Sequence, residues 1–231
     1  MHPALQISNL AFSYEHAEHP FRLALPSLTL QPGEQCLLTA ASGRGKSTLL
    51  SLIAGLIDPH AGTIEVAGTN LHSLHGHKRD LFRGRHIGMI FQTFNLLQGF
   101  SALENVMAAL MLSGQPPKAQ HEKAAALLDQ LGIKRQAAPV ETLSVGQQQR
   151  VAVARAVAVD PVLVLADEPT ASLDPENAAA AMDLIQQLCR EKNAALLCVS
   201  HDPAMSARFT RREKLDASPA TEAMAVGGAA R

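Results

Sequence analysis

Residues 42 to 47 read Ser-Gly-Arg-Gly-Lys-Ser, and those types at that spacing suit a phosphate chain. Gly43 and Gly45 allow backbone N–H groups to approach phosphate oxygens closely. The Lys46 ammonium can sit against β- and γ-phosphates, and the Ser47 hydroxyl can reach a Mg²⁺ ion. The longer stretch TAASGRGKSTLL, residues 39 to 50, nearly matches G-x-x-x-x-G-K-[ST], with Ala40 in place of the first glycine. Alanine is compatible with that position if its φ is negative. If the backbone there is left-handed, alanine costs about 1–2 kcal/mol. The bland alternative is a glycine-rich turn between a strand and a helix.

A second group of residues could complete such a site. VLVLADEP puts Asp167 and Glu168 at the end of an aliphatic run. One of two adjacent carboxylates there can hold Mg²⁺, usually through water, and the other can orient or polarise an attacking water. A pair of solvated turn acids is the alternative. HSLHGH brings His72, His75 and His77 within six residues. With no cysteine or clear helix to fix ligand geometry, a solvated loop is expected there rather than a metal site. His16 and His19 near Tyr14 have the same reading. The basic run KRDLFRGRH, from Lys78 to His86, reads as one face of a helix rather than a polynucleotide site.

These residues need a scaffold, and the hydrophobic pattern supplies one. LTLQPGEQCLLTA holds two strands around the turn Pro32-Gly33, and KSTLLSLIAGL has helical spacing that stops near Asp58-Pro59. GTIEVAG and IGMIF read as short strands. SALENVMAALML opens with Ser101 and Glu104 in the capping-box spacing, and PPKAQHEKAAALLDQLGI has proline early and Gly132 at its end. VGQQQRVAVARAVAV and PENAAAAMDLIQQLCREKN are further helices. PVLVLAD and AALLCVS are nearly continuous apolar runs, as expected of strands buried on both faces. Strands alternating with helices predict a parallel α/β sheet. The stretch from about Phe91 to Val145 is helical throughout, which suggests an inserted helical subdomain. RFTRREKLD is dominated by charge, so a strand there is expected to be short, frayed or absent. ASPATEAMAVGGAAR is small, polar and without period, and is expected to be disordered.

Composition narrows the partners. The chain has 231 residues, 47% hydrophobic, with a formal net charge of −1. That charge gives no general electrostatic case for nucleic acid or anionic lipid. Cys36, Cys189 and Cys198 form no C-x-x-C pair and suit a reduced, cytosolic setting. The start MHPALQISNLAF has no signal-peptide pattern, and no stretch is apolar for the roughly 20 residues a membrane helix needs. If the protein works at a membrane, the span is expected to come from another chain.

A third motif gives these pieces a family. LSVGQQQRVAVARA, residues 143 to 156, resembles the L-S-G-G-Q signature of ABC-transporter ATPases, with Val145 replacing the first glycine. Ser172-Leu173-Asp174 is similar to the family's D-loop, His201 to its switch histidine, Gln92 to its Q-loop glutamine and Tyr14 to the aromatic that stacks on adenine. The resemblance runs from about Leu5 to Pro203 with every motif in order. Around Gln92, IGMIFQTFNLL and FSALENV resemble the lipoprotein-release and macrolide-export group.

The resemblance implies an α/β fold: a P-loop NTPase core with a parallel sheet, an N-terminal antiparallel β part and an inserted helical subdomain. It implies an ATPase domain over residues 1–216, with residues 91–145 as the helical insertion and 217–231 as the tail. Phosphate and nucleotide contacts carry over to Ala41, Ser42, Gly43, Arg44, Gly45, Lys46, Ser47 and Thr48, besides Tyr14. Mg²⁺ contacts carry over to Ser47, Gln92 and Asp167. Glu168 is the implied general base, His201 contacts the γ-phosphate, and Gln92 senses metal and water and links to the membrane partner. Ser144, Gly146 and Gln147 belong to a second anion site at a helix N-terminus. In the family that site covers the γ-phosphate bound by a second chain, so ATP joins two subunits head to tail and hydrolysis parts them. The implied protein is a peripheral ATPase on the cytoplasmic face of the cell membrane, driving a permease for export or for lipid or lipoprotein extraction. The alternative is a non-transport member of the family that regulates a membrane or cell-wall partner.

Overall fold

The computed structural model describes residues 2–14, 21–40 and 43–215. The expected tail, His16, His19, Ala41 and Ser42 lie outside the described residues. Two sheets organise the chain. The first is antiparallel, in the order β2-β1-β4-β5, built from β1 (Leu5–Tyr14), β2 (Phe21–Leu30), β4 (Ala61–Val66) and β5 (Thr69–Asn70). The second has the order β6-β7-β8-β3-β9, built from β6 (Ile87–Ile90), β7 (Leu163–Asp167), β8 (Ala195–Val199), β3 (Gln35–Thr39) and β9 (Arg211–Lys214). Each pairing within it is parallel. The two strands expected around Pro32-Gly33 are present, and that turn sends β2 and β3 into different sheets.

The continuous apolar runs are explained by burial on both faces of the central strands. On β7, Leu163 and Leu165 join one buried cluster while Val164 and Ala166 join the other. On β8, Ala195, Leu197 and Val199 alternate in the same way with Leu196 and Cys198. With period-two side chains and no solvent face, every position must be apolar. One face packs against helix α1 (Lys46–Ile53) and the antiparallel sheet. The other packs against the longer helices α5 (Val145–Val157) and α6 (Pro175–Glu191). Cys36, Cys189 and Cys198 are free and buried. Burial pushes the Cys36 thiol up to about 11 and the Cys189 thiol up to about 12, so both are packing residues rather than nucleophiles.

Between Phe91 and Val145 lie helices α3 (Ala102–Leu112) and α4 (Pro117–Gln130), a 3₁₀ turn at Val140–Thr142 and an isolated bridge from Ser101 to Pro139. Ser101 and Glu104 form the expected reciprocal capping box on α3. The basic run forms helix α2 (His77–His86). The charged C-terminal stretch does form a strand, four residues long. β9 pairs with β3 at the sheet edge, and Arg211 is anchored by the Glu34 carboxylate at 2.7 Å and the Thr29 carbonyl at 2.6 Å. An edge strand needs only backbone pairing on one side, so charged side chains are tolerated there.

The histidine-rich segment is less simple than a solvated loop. His72 is largely buried, with Nδ1 2.8 Å from Asp58 Oδ1 and Nε2 3.0 Å from the Leu52 carbonyl at the end of α1. The ring spans from the last turn of α1 to Asp58, a packing role that a local hydropathy pattern cannot reveal. His75 and His77 are exposed, and no metal-binding cluster of His, Cys, Asp or Glu occurs among the described residues. No helix among them is long and apolar enough to cross a membrane.

Candidate functional site

The parallel strands β3, β7 and β8 end along one rim, and the chemistry gathers there. β3 gives way to the glycine loop, whose last residue, Gly45, caps α1 with φ 83° and makes no side-chain cap. An L residue there would be strained twice. Its backbone is left-handed, and an added Cβ would lie 2.2 Å from Phe21 Cζ. A glycine cap leaves the first-turn N–H groups of α1 open to an anion, at the positive end of the helix dipole. Ala40 is 7% exposed, packs in the core and is not among the described residues with positive φ. Alanine is therefore unstrained where the motif has glycine.

Lys46 begins α1 and turns its ammonium back over the loop. Nζ donates to the Ala40 carbonyl at 3.1 Å and lies 3.4 Å from Glu168 Oε1. One residue on, Ser47 Oγ donates to Asp167 Oδ2 at 2.7 Å. A hydroxyl and a carboxylate oxygen side by side at a cleft wall are hard donors of the kind Mg²⁺ shares with phosphate oxygens. The chain's own residues thus fit that metal with phosphate completing its shell.

Glu168 follows the last residue of β7 and has φ 45°, a rare conformation for a non-glycine residue. Its surroundings hold it there. Its N–H donates to the Val199 carbonyl at 2.9 Å. Its carboxylate accepts from Ser200 Oγ at 3.0 Å and faces His201 Nδ1 at 2.6 Å. Burial alone pulls this carboxyl's pKa up. The hydrogen bonds from His201 and Ser200 and the charges of His201 and Lys46 outweigh burial, so Glu168 titrates below the usual glutamate range. At neutral pH it is an anion positioned to accept a proton. The His201 side chain is 64% exposed, so the ring edge away from Glu168 is open to a ligand.

Most of the residues singled out in the sequence line one cleft of about 510 Å³. Gly43, Gly45, Lys46, Ser47 and Thr48 form one wall, Asp167, Glu168 and His201 another, and Gln92 and Tyr14 complete it. Arg44 lies exposed between the two glycines. Two contributors escaped the sequence reading. Phe21 lines the cleft beside Tyr14, its partner across the β1–β2 pairing, with ring centroids 6.0 Å apart. Ser200 holds the Glu168 carboxylate from the end of β8. Phe21 could have been found from strand register alone, whereas Ser200 carries no signal beyond its place before His201.

Ser144, Gly146 and Gln147 do not line this cleft. Ser144 caps α5, accepting from the Gln147 N–H at 3.3 Å while its own N–H donates to Gln147 Oε1 at 3.0 Å. The serine hydroxyl keeps its proton to donate elsewhere. Gly146 faces a separate groove with Leu173 and Asn177, and Val145 is 53% exposed beside it.

A parallel sheet with a Gly-Lys-Ser loop, a strand-end carboxylate pair and a histidine around one cleft is suited to nucleotide hydrolysis. Comparison with known proteins places it further. Residues 23–171 match the family model described as ABC transporter. The chain is 38% identical over 221 residues to the lipoprotein-releasing system ATP-binding protein LolD of Pseudomonas syringae pv. tomato, covering 95% of this chain and 97% of that one. It is 43% identical over 178 residues to the ABC transporter ATP-binding protein YtrE of Bacillus subtilis, covering 76% and 77% of the two chains. Among solved structures it resembles the ATP-binding cassette MJ0796 in a dimeric post-hydrolysis state bound to ADP and Pi. The TM-score is 0.80 at 30% identity, covering 91% of this chain and 94% of that one. The chain belongs to the ABC transporter family and is an ATPase of that family.

Proposed function

We propose that this ATPase powers a membrane permease that extracts or exports a lipid-linked cargo, and that it works as an ATP-bound homodimer on the cytoplasmic face of the membrane. The observation that carries the reading is the convergence of Lys46, Ser47, Asp167, Glu168 and His201 on one cleft while Ser144 and Gly146 stay outside it. A second anion-binding helix end that its own cleft does not use is suited to the nucleotide of another chain. The dimeric state of MJ0796 and the naming of LolD for lipoprotein release support the partner and the cargo.

In this reading the open N–H groups of α1 and the Lys46 ammonium bind the phosphates, and Tyr14 with Phe21 holds the base. Ser47 and Asp167 hold Mg²⁺, with Gln92 beside them. Bound there, the ion would neutralise charge on the phosphate oxygens. Glu168 takes the proton of the attacking water, and His201 donates to the terminal phosphate. The insertion from residue 91 to 145 leads into the signature, and Gln92 near its start links the cleft to the permease.

The test is reconstitution in liposomes with the permease of a lipoprotein-releasing system and an acylated lipoprotein as cargo. Mg²⁺- and ATP-dependent release of the cargo is the expected result. ATP turnover with no release would leave the ATPase intact and overturn the lipoprotein assignment.

A further inference from the structure

Beyond β6 the chain takes an unfavourable path. Phe94 and Asn95 have φ of 57° and 48°, two consecutive non-glycine residues in the left-handed region. Phe94 is also bulky and buried, and for such residues this conformation is a true outlier. Strain of this kind persists only where the surroundings over-determine it, and here the restraints are visible. Arg155, in the last turn of α5, donates from Nη2 to the Phe94 carbonyl at 2.6 Å and from Nη1 to the Asn95 carbonyl at 2.5 Å. Its planar fork takes both carbonyls together, which a lysine ammonium cannot do with the same rigidity. On the other side Ser172 Oγ donates to the Gln92 carbonyl at 3.2 Å. Within the loop, Thr93 Oγ1 donates to Asn95 Oδ1 at 2.9 Å.

These outside restraints all act on backbone carbonyls. They fix the path of the chain and leave the Gln92 side chain at the cleft. They also come from two separate places. Arg155 lies on the helix that Ser144 caps, and Ser172 lies two residues before Asp174, the cap of α6. We infer that Arg155 and Ser172 are positioning residues for Gln92, holding its loop in the strained form that turnover requires. The inference rests on the role given to Gln92 above.

The experiment measures steady-state ATP hydrolysis by the full chain for Arg155→Lys, alone and combined with Gln92→Ala. Arg155→Lys is expected to lower kcat by about tenfold with KM for ATP unchanged within about twofold, the pattern of a lost transition-state arrangement. In the Gln92→Ala background the same substitution is expected to change kcat by less than about twofold, because the residue it positions is gone. Equal losses in both backgrounds, or a raised KM at unchanged kcat, would overturn the clamp. Ser172→Ala, at an exposed position, is expected to show the same dependence on Gln92 with a smaller loss, and it decides the matter if Arg155→Lys does not fold. Wild-type turnover in Gln92→Ala sinks the Gln92 reading itself and the clamp with it. An impaired Gln92→Ala with additive losses sinks the clamp alone.

Discussion

Lys46 Nζ lies 3.4 Å from Glu168 Oε1, so the cation that faces the cleft also neutralises the carboxylate at the end of β7. In the proposed reaction, a phosphate bound by Lys46 would draw part of that cation's charge to itself and leave Glu168 more basic when a proton is to be accepted. Glu168→Gln keeps the side chain's shape while removing the proposed base. Hydrolysis is expected to fall by at least about 100-fold, with ATP still bound and an ATP-dependent dimer seen by size-exclusion chromatography. Adding Lys46→Ala should abolish that dimer. Near-normal turnover in Glu168→Gln, or a dimer indifferent to nucleotide, would contradict the assignment.

The lowered pKa of Glu168 also makes a statement about stability. A carboxylate whose folded pKa lies below its unfolded value, about 4.3, stabilises the fold above that value. The stabilisation fades as pH falls through the folded pKa. Wild type is therefore expected to lose more thermal stability between pH 6 and pH 3 than Glu168→Gln does. Differential scanning calorimetry across that range checks the sign, and parallel curves for the two proteins would refute it.

Gly45 is constrained by its φ of 83° and by Phe21, whose Cζ would sit 2.2 Å from an added Cβ. Gly45→Ala is expected to weaken ATP binding by at least about fivefold, since restoring the left-handed backbone around the phosphates costs about 1–2 kcal/mol before the Phe21 contact is counted. In a Phe21→Ala background the same change should cost less, because only the backbone strain remains. Titration with a fluorescent ATP analogue over the four proteins of this cycle measures the difference. Identical costs in the two backgrounds would show that Phe21 does not confine Gly45.

Ala40→Gly should leave ATP affinity within about tenfold of wild type, because position 40 is not left-handed. Stability should fall by about 1–2 kcal/mol, from the lost burial of a methyl group and the freer unfolded chain. Urea unfolding and nucleotide titration report the two effects separately. A hundredfold gain in affinity would mean that alanine impairs the loop.

The candidate site was legible where its chemistry is written in contiguous residues. Lys46 with Ser47, and Asp167 with Glu168, announce themselves by type and spacing, and the flanking apolar runs place each pair at a strand end. The fold was legible for a related reason: β7 and β8 are buried on both faces, so their aliphatic composition states their environment directly. Contacts that depend on register or on distant chain were not legible. Phe21 reaches the cleft because it pairs with Tyr14 across β1 and β2. Arg155 looks like any helical arginine until the Phe94 and Asn95 carbonyls are seen in its fork. His72 sits in a string of histidines that suggests a loop, and only the approach of α1 and Asp58 makes it a packing residue. The strand at Arg211–Lys214 is short, one of the outcomes its charges left open, because an edge strand is held by backbone bonds that side-chain polarity does not report.

The sheet order has a consequence for synthesis. β3 stands between β8 and β9, and its pairing joins Gln35 to Leu196 and Cys36 to Arg211. Both neighbours of this apolar strand therefore leave the ribosome about 160 or more residues after it does. At roughly 5–20 residues per second, that is a wait on the order of ten to thirty seconds. Throughout it Cys-Leu-Leu of β3 has two bare edges, and the phosphate loop that follows has no frame on which to form. The parallel sheet around β3 therefore cannot close until β8 and β9 have emerged, whereas the antiparallel sheet, complete by Asn70, waits for neither.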